Sequence, residues 1–145
     1  LVASCDLAVA SDNARFATSG INVGLFCSTP AVALSRNLGR KQALELLLTG
    51  DFIDAPTAMQ FGLVNRVAPL DRLDATVWQL ADSICNKSPL SIAMGKELFY
   101  RQLELSLEVA YACAGETMAC NMNSEDAREG IDAFIAKRKP EWKGY

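Results

Sequence analysis

Apolar residues recur along this chain first at short, strand-like spacing and then, for most of its length, at helical spacing. Residues 7–11, Leu-Ala-Val-Ala-Ser, form a run too short for a helix, and residues 15–18 form another, with turn chemistry at Ser11, Asp12 and Asn13 between them. Both suit a buried sheet edge. Residues 21–30 read as a loop flanked by Gly20 and containing Gly24, able to bring backbone N–H groups close to a ligand or simply to connect two elements. Pro30 stands where a helix can begin, giving a short helix over 31–38 closed by Gly39. A second helix follows over 40–49, with Ala43, Leu44, Leu47 and Leu48 as its expected apolar face.

Asp54 is a strong N-cap, with Pro56 in the first turn and Gly62 as the stop. Residues 63–67 then form a short strand ended by Pro69. Beyond it the pattern is helical. Leu73, Val77, Leu80, Ala81 and Ile84 keep one helical phase, and Pro89 starts a helix to about Tyr100. Residues 103–120 are mostly helical, with Leu107, Tyr111, Ala114 and Met118 on one side. Ser124 caps a last helix, with Glu125 and Asp126 at its positive end, expected to run to about Lys139 before Pro140. There is no internal repeat, low-complexity segment or linker. Two or three strands make no stable sheet alone, so the rest of the sheet is expected upstream of Leu1.

The 145 residues are 50% hydrophobic and 21% charged, as in an ordinary globular protein of about one domain. The chain opens on Leu1-Val2-Ala3-Ser4-Cys5 without an initiator Met, the opening expected of a chain cut inside an element. No signal or transit peptide is visible, so targeting signals say nothing of compartment. A net charge of −3 argues against nucleic acid as main partner, and no apolar run reaches the length of a membrane span. The five cysteines, irregularly spaced, read as free thiols in a reducing compartment. The chain has no histidine, which excludes Ser-His-Asp and Cys-His chemistry within it and the usual imidazole metal sites, so no metal is expected. Acid-base chemistry would fall to carboxylates, Lys, Tyr, Cys or water.

Residues 49–67, T-G-D-F-I-D-A-P-T-A-M-Q-F-G-L-V-N-R-V, resemble the signature T-G-x-x-I-x-A-x-x-A-x-x-x-G-L-V-x-x-V of the enoyl-CoA hydratase/isomerase (crotonase) family. Residues 5–11 are similar to its C-D-x-x-x-A segment, and residues 129–140, E-G-I-D-A-F-I-A-K-R-K-P, to its E-G-x-x-A-F-x-E-K-R-x-P ending. Residues 22–30, N-V-G-L-F-C-S-T-P, resemble one subgroup in particular, that of the enoyl-CoA hydratase domain-containing protein 3 type.

The resemblance implies an α/β fold: the C-terminal portion of a crotonase-like ββα spiral over residues 1–70, then a helical trimerisation region over 71–145. It implies an acyl-CoA thioester as substrate with no other cofactor, and a homo-trimer or hexamer. The compartment would be cytoplasmic in a bacterium and the mitochondrial matrix in a eukaryote. Family members polarise the thioester carbonyl with two backbone N–H groups, and hydratases add two glutamates that activate water. By the family pattern the N–H donors lie upstream of Leu1 and the first glutamate immediately before it. The second belongs to F-x-x-P-E, which here reads Phe16-Ala17-Thr18-Ser19-Gly20, and no Asp or Glu occurs from Asn13 to Leu44. The glycine-rich P-G-x-G-G-T-Q loop is likewise replaced, by Cys27-Ser28-Thr29-Pro30-Ala31-Val32-Ala33.

No catalytic residue is therefore expected within the chain. The expected reading is an acyl-CoA-binding, enoyl-CoA hydratase-like protein; the alternative is a non-catalytic acyl-CoA-binding or oligomer-interface pseudoenzyme. Ser19, Gly20 and Asn22 form the candidate pocket loop, with Thr18, Cys27 and Ser28 as further polar groups. Ser19 or Asn22 can hold water or a substrate oxygen, or simply satisfy loop backbone. Cys27 reads as a buried inert thiol. Phe134 and Lys137 match family positions that meet CoA, although a solvated basic helix end needs no ligand. Arg40 and Lys41 read as a solvated face.

Overall fold

Four short strands and seven helices make up the chain, and the computed structural model describes all 145 residues. It divides into two units, Leu1–Leu80 and Ala81–Tyr145. The first unit opens on a 3-10 turn, Val2–Ser4, followed by β1 (Val9–Ser11) and β2 (Arg15–Phe16). A 3-10 turn over Ser19–Val23 leads to α1 (Ser28–Asn37) and α2 (Arg40–Thr49). Then come β3 (Ile53–Asp54), α3 (Ala55–Phe61) and β4 (Arg66–Ala68).

The strands form two separate pairs. β1 lies parallel to β4, with Val9 opposite Arg66, Ala10 opposite Val67 and Ser11 opposite Ala68. β2 lies antiparallel to β3, with Arg15 opposite Asp54 and Phe16 opposite Ile53. Asn65 sets the first register: its side-chain oxygen accepts from the Ala8 N–H and its own N–H donates to the Ala8 carbonyl, both at 2.8 Å.

Helix α3 behaves as its punctuation dictates. The Asp54 carboxylate accepts the Thr57 N–H at 2.9 Å, Pro56 lies in the first turn, and Gly62 stops the helix at φ 85°. That stop is in the left-handed region, where a side chain would be strained. Ala55 and Ala58 are fully buried, so α3 presses against the core with its smallest residues. The core gathers Ala10, Leu34, Leu38, Leu46, Leu47 and Val64 around it.

Several expectations shift. The expected strand over 63–67 moves to Arg66–Ala68, because residues 63–65 are spent turning out of α3. The expected strand over 15–18 ends at Phe16, since Thr18 already leads into the Ser19–Val23 turn, which also replaces part of the expected loop. On α2 the buried residues are Ala43, Leu46 and Leu47, while Leu44 and Leu48 are exposed. Packing against the Ser19–Val23 turn rotates the helix: the Thr18 hydroxyl donates to the Leu46 carbonyl at 2.7 Å.

The division between units falls within α4 (Leu73–Cys85). The second unit holds α5 (Pro89–Gln102), α6 (Leu107–Met122) and α7 (Glu125–Ile135). Helix α6 packs on α5 and buries Ala110 and Cys113, whereas the sequence-defined side with Leu107, Tyr111 and Met118 is exposed. Helix α7 stops at Ile135, short of the expected Lys139, because the backbone turns left-handed at Lys137, φ 53°. No helix is long and apolar enough to cross a membrane.

Candidate functional site

Two places carry the candidate residues, one in each unit. In the first, an open cleft of about 700 Å³ lies between residues 1–4, β2, the Ser19–Val23 turn and α1. Its wall is largely apolar, from Phe16, Leu34, Leu46 and Phe52, with Ser4, Thr18, Ser19 and Thr29 as its hydroxyl-bearing residues. A concave apolar wall with a few polar groups is the usual form of a small-molecule site. No carboxylate lines it. Its one charged side chain is Arg15, whose guanidinium sits 4.6 Å from the centre of the Phe52 ring, a cation–π contact.

Of the three pocket-loop residues, Ser19 and Gly20 line this cleft and Asn22 does not. The Asn22 amide lies instead against Gly50 at the end of α2, its N–H₂ directed at the Gly50 carbonyl at 3.4 Å. A 3-10 turn sends successive side chains about 120° apart, so Asn22 leaves the cleft by geometry that no residue-type argument reveals. The Thr18 hydroxyl is occupied by the Leu46 carbonyl, and Ser28 donates to the Phe26 carbonyl at 3.3 Å, so both serve the backbone.

Gly20, where the resemblance implies a carboxylate, has no room for a side chain. A Cβ there would meet the Leu25 carbonyl oxygen at 2.7 Å and the Cys27 Sγ at 2.8 Å. The turn has closed over the space a side chain would need, and the Leu25 N–H bonds the Gly20 carbonyl at 3.0 Å to hold it shut. Cys27, expected as a buried thiol, is half-buried and lines the cleft beside Gly20. The other cysteines are free as well.

In the second unit, Phe134 is 85% exposed on the last turn of α7, and Lys137 is exposed just beyond it. Around them residues 138–145 fold back along α7. The Arg138 guanidinium meets the Glu129 carboxylate through two bonds, of 2.6 and 2.8 Å, and the Glu141 N–H donates to the same carboxylate at 2.7 Å. This pairing, Arg138 first, pulls the Glu129 carboxyl down to about 2 and raises Arg138 further. One turn earlier, buried Asp126 accepts the Ser88 hydroxyl at 2.6 Å and the N–H groups of Lys143 and Gly144 at 2.7 and 3.1 Å. The Ser88 bond, chiefly, holds its carboxyl below the usual range against the cost of burial. The Trp142 indole donates to the Asn86 carbonyl at 2.8 Å, and its ring comes within 3.3 Å of where a Cβ on Gly130 would lie. Glu129 and Arg138 are both fixed positions of the E-G-x-x-A-F-x-E-K-R-x-P resemblance, but their pairing was not legible: nine residues apart across a helix end, they match no helical or strand period.

A family model described as enoyl-CoA hydratase/isomerase matches residues 1–145. Enoyl-CoA hydratase domain-containing protein 3, mitochondrial, of Mus musculus is 52% identical over 142 residues, covering 98% of this chain and 47% of its own length. Among solved structures, an enoyl-CoA hydratase of Mycobacterium smegmatis superposes with a TM-score of 0.94 at 59% identity, over 97% of this chain and 55% of its own. Human enoyl-CoA hydratase domain-containing protein 3 does so at 0.91 and 48%, over 97% and 56%. The chain thus spans about half the length of the relatives it matches.

Proposed function

The chain belongs to the enoyl-CoA hydratase/isomerase family, and from that premise we propose that it supplies one wall of an acyl-CoA site whose thioester-polarising donors come from residues preceding Leu1. The observation that carries this reading is the apolar cleft, wide enough for an acyl chain against Phe16, Leu34, Leu46 and Phe52, with no carboxylate in its lining. Water added to an enoyl thioester needs a base to take its proton. Gly20 offers none, and the other polar side chains of the lining, Ser4, Thr18, Ser19, Cys27 and Thr29, are hydroxyls and a thiol with no carboxylate beside them. The wall therefore binds and orients the acyl chain, and any proton transfer falls to a group outside this chain. The protein accordingly acts on, or holds, fatty acyl-CoA as a hydratase-like lyase or isomerase with at most one carboxylate.

Phe134 and Lys137 suit the nucleotide end of CoA: an exposed ring for the base and an ammonium for the phosphates. The exposed apolar residues Leu107, Tyr111 and Met118 suit contacts between subunits of a trimer or of a dimer of trimers. The domain division at residue 70, between a core wall and a trimerisation region, is part of the same proposal. The mitochondrial relatives favour the matrix as the compartment.

A second reading is favoured by one feature, the closure of the turn over Gly20, which commits the site against a carboxylate there. On it the protein binds acyl-CoA without turning it over. Calorimetry with hexanoyl-CoA and a crotonyl-CoA hydration assay on the whole protein separate the cases. Binding with hydration supports the first reading, and binding without it the second. No binding by the protein overturns both. An Ala33→Leu variant, which narrows the cleft, is expected to weaken hexanoyl-CoA more than free CoA.

A further inference from the structure

Among all residues of the chain with positive φ, four are glycines (Gly24, Gly50, Gly62 and Gly144) and the fifth is Lys137, at 53°. Three of those glycines end a helix in the left-handed conformation, as glycine does without strain. Lys137 occupies the same position after α7: its N–H reaches the Phe134 carbonyl at 3.2 Å and the Arg138 N–H reaches the Ala133 carbonyl at 3.0 Å. A lysine there is strained, and strain of this kind persists only where the surroundings impose it.

The surroundings do so from one side. Arg138, the next residue and already beyond the helix, is forked onto Glu129 within α7, and also donates to the Lys139 carbonyl at 3.2 Å. The Glu141 N–H adds a bond to the carboxylate oxygen, Oε1, that already meets Arg138. Lys137 is thus bracketed between the end of α7 and a planar, two-bond pair, the most geometrically demanding ion pair proteins make. With the Glu129 carboxyl drawn down to about 2, chiefly by Arg138, the carboxylate stays ionised at ordinary pH. Lys137 itself is exposed.

We propose that Glu129 and Arg138 form a latch that holds Lys137 left-handed and so presents its ammonium, three residues beyond the Phe134 ring, as a pre-positioned contact for the phosphates of CoA. Glu129 and Arg138 are positioning residues and touch no ligand. The inference rests on the reading of Lys137 as a CoA contact. Where only a helix stop is required, this chain uses glycine; here it bears the strain of a lysine. Fixing the backbone in advance lowers the ordering cost of each phosphate contact.

The test compares hexanoyl-CoA with hexanoyl-pantetheine, which lacks the nucleotide and its phosphates, by calorimetry on the whole protein. Lys137→Gly is expected to weaken hexanoyl-CoA by about ten-fold, the size of one charge-assisted hydrogen bond. It should leave hexanoyl-pantetheine unchanged and hold or raise the thermal midpoint. Glu129→Gln and Arg138→Lys are expected to reproduce much of that selective loss with the lysine still present. In the Lys137→Gly background Glu129→Gln should add nothing, the mark of residues acting through one another. Unchanged hexanoyl-CoA affinity in Lys137→Gly would sink the reading of Lys137 as a contact. A loss in Lys137→Gly but none in Glu129→Gln or Arg138→Lys would leave that reading standing and overturn the latch. Equal weakening of both ligands by the latch variants would also overturn it, as a general loss of structure.

Discussion

Gly20→Ala adds one methyl group to the cleft turn and tests whether the turn is closed as described. The new Cβ would lie 2.7 Å from the Leu25 carbonyl oxygen and 2.8 Å from the Cys27 Sγ, both closer than real Cβ contacts come. The sulfur can move by rotating about its own side chain. The carbonyl is backbone and yields less readily, in a residue already tied to Gly20 by the Leu25 N–H at 3.0 Å. Overpacking of this kind costs about 1–3 kcal/mol, which chemical denaturation of the whole protein reads as a lower midpoint at an unchanged slope. Replacing Cys27 by Ala removes one of the two clashes, so Cys27→Ala should recover part of the loss in the Gly20→Ala background, a coupling on the order of 1 kcal/mol. Gly20→Glu should destabilise at least as much and should not create hydratase activity, since its carboxylate has no room to reach the cleft. A neutral Gly20→Ala, or full recovery by Cys27→Ala, would refute the reasoning: the first would mean an open turn, the second a mobile carbonyl.

Three further outcomes follow from packing and charge. Leu47→Ala, 3% exposed, should cost about 2–5 kcal/mol in denaturant unfolding, whereas Leu48→Ala, 59% exposed on the same helix, should cost little. Ser88→Ala removes the hydroxyl that accepts the Ser91 N–H at 3.1 Å and donates to buried Asp126, so its loss of stability should exceed the roughly 1 kcal/mol of an ordinary N-cap. Glu129 has a folded value of about 2 against an ordinary 4.5, so its contribution to stability is full above 4.5 and lost as pH falls toward 2. The midpoint difference between wild type and Glu129→Gln should therefore be largest near neutral pH and vanish at the acid end; a difference independent of pH would contradict the assigned pairing.

Much of this protein could be read from residue order because it depends on neighbours in the chain. The stop at Gly62, the caps at Asp54 and Ser124 and the start of α5 at Pro89 are local, since each turns on hydrogen bonds or dihedral limits within a few residues. The family was legible for a related reason: residues 49–67 carry a cap, a stop and a strand at fixed spacing, and the family model covers the same stretch. That Gly20 has no side chain with which to move a proton was visible too. What residue order could not supply were directions across space. Leu46 rather than Leu44 faces the core because a turn twenty-odd residues earlier bonds to its carbonyl. Asn22 leaves the cleft while Ser19 and Gly20 stay, and the last helix ends early because Glu129 captures Arg138 beyond it. Local dihedral preferences decide where elements start and stop, but a side chain's facing is settled by whichever distant backbone or charge it meets, and only the folded chain brings those together.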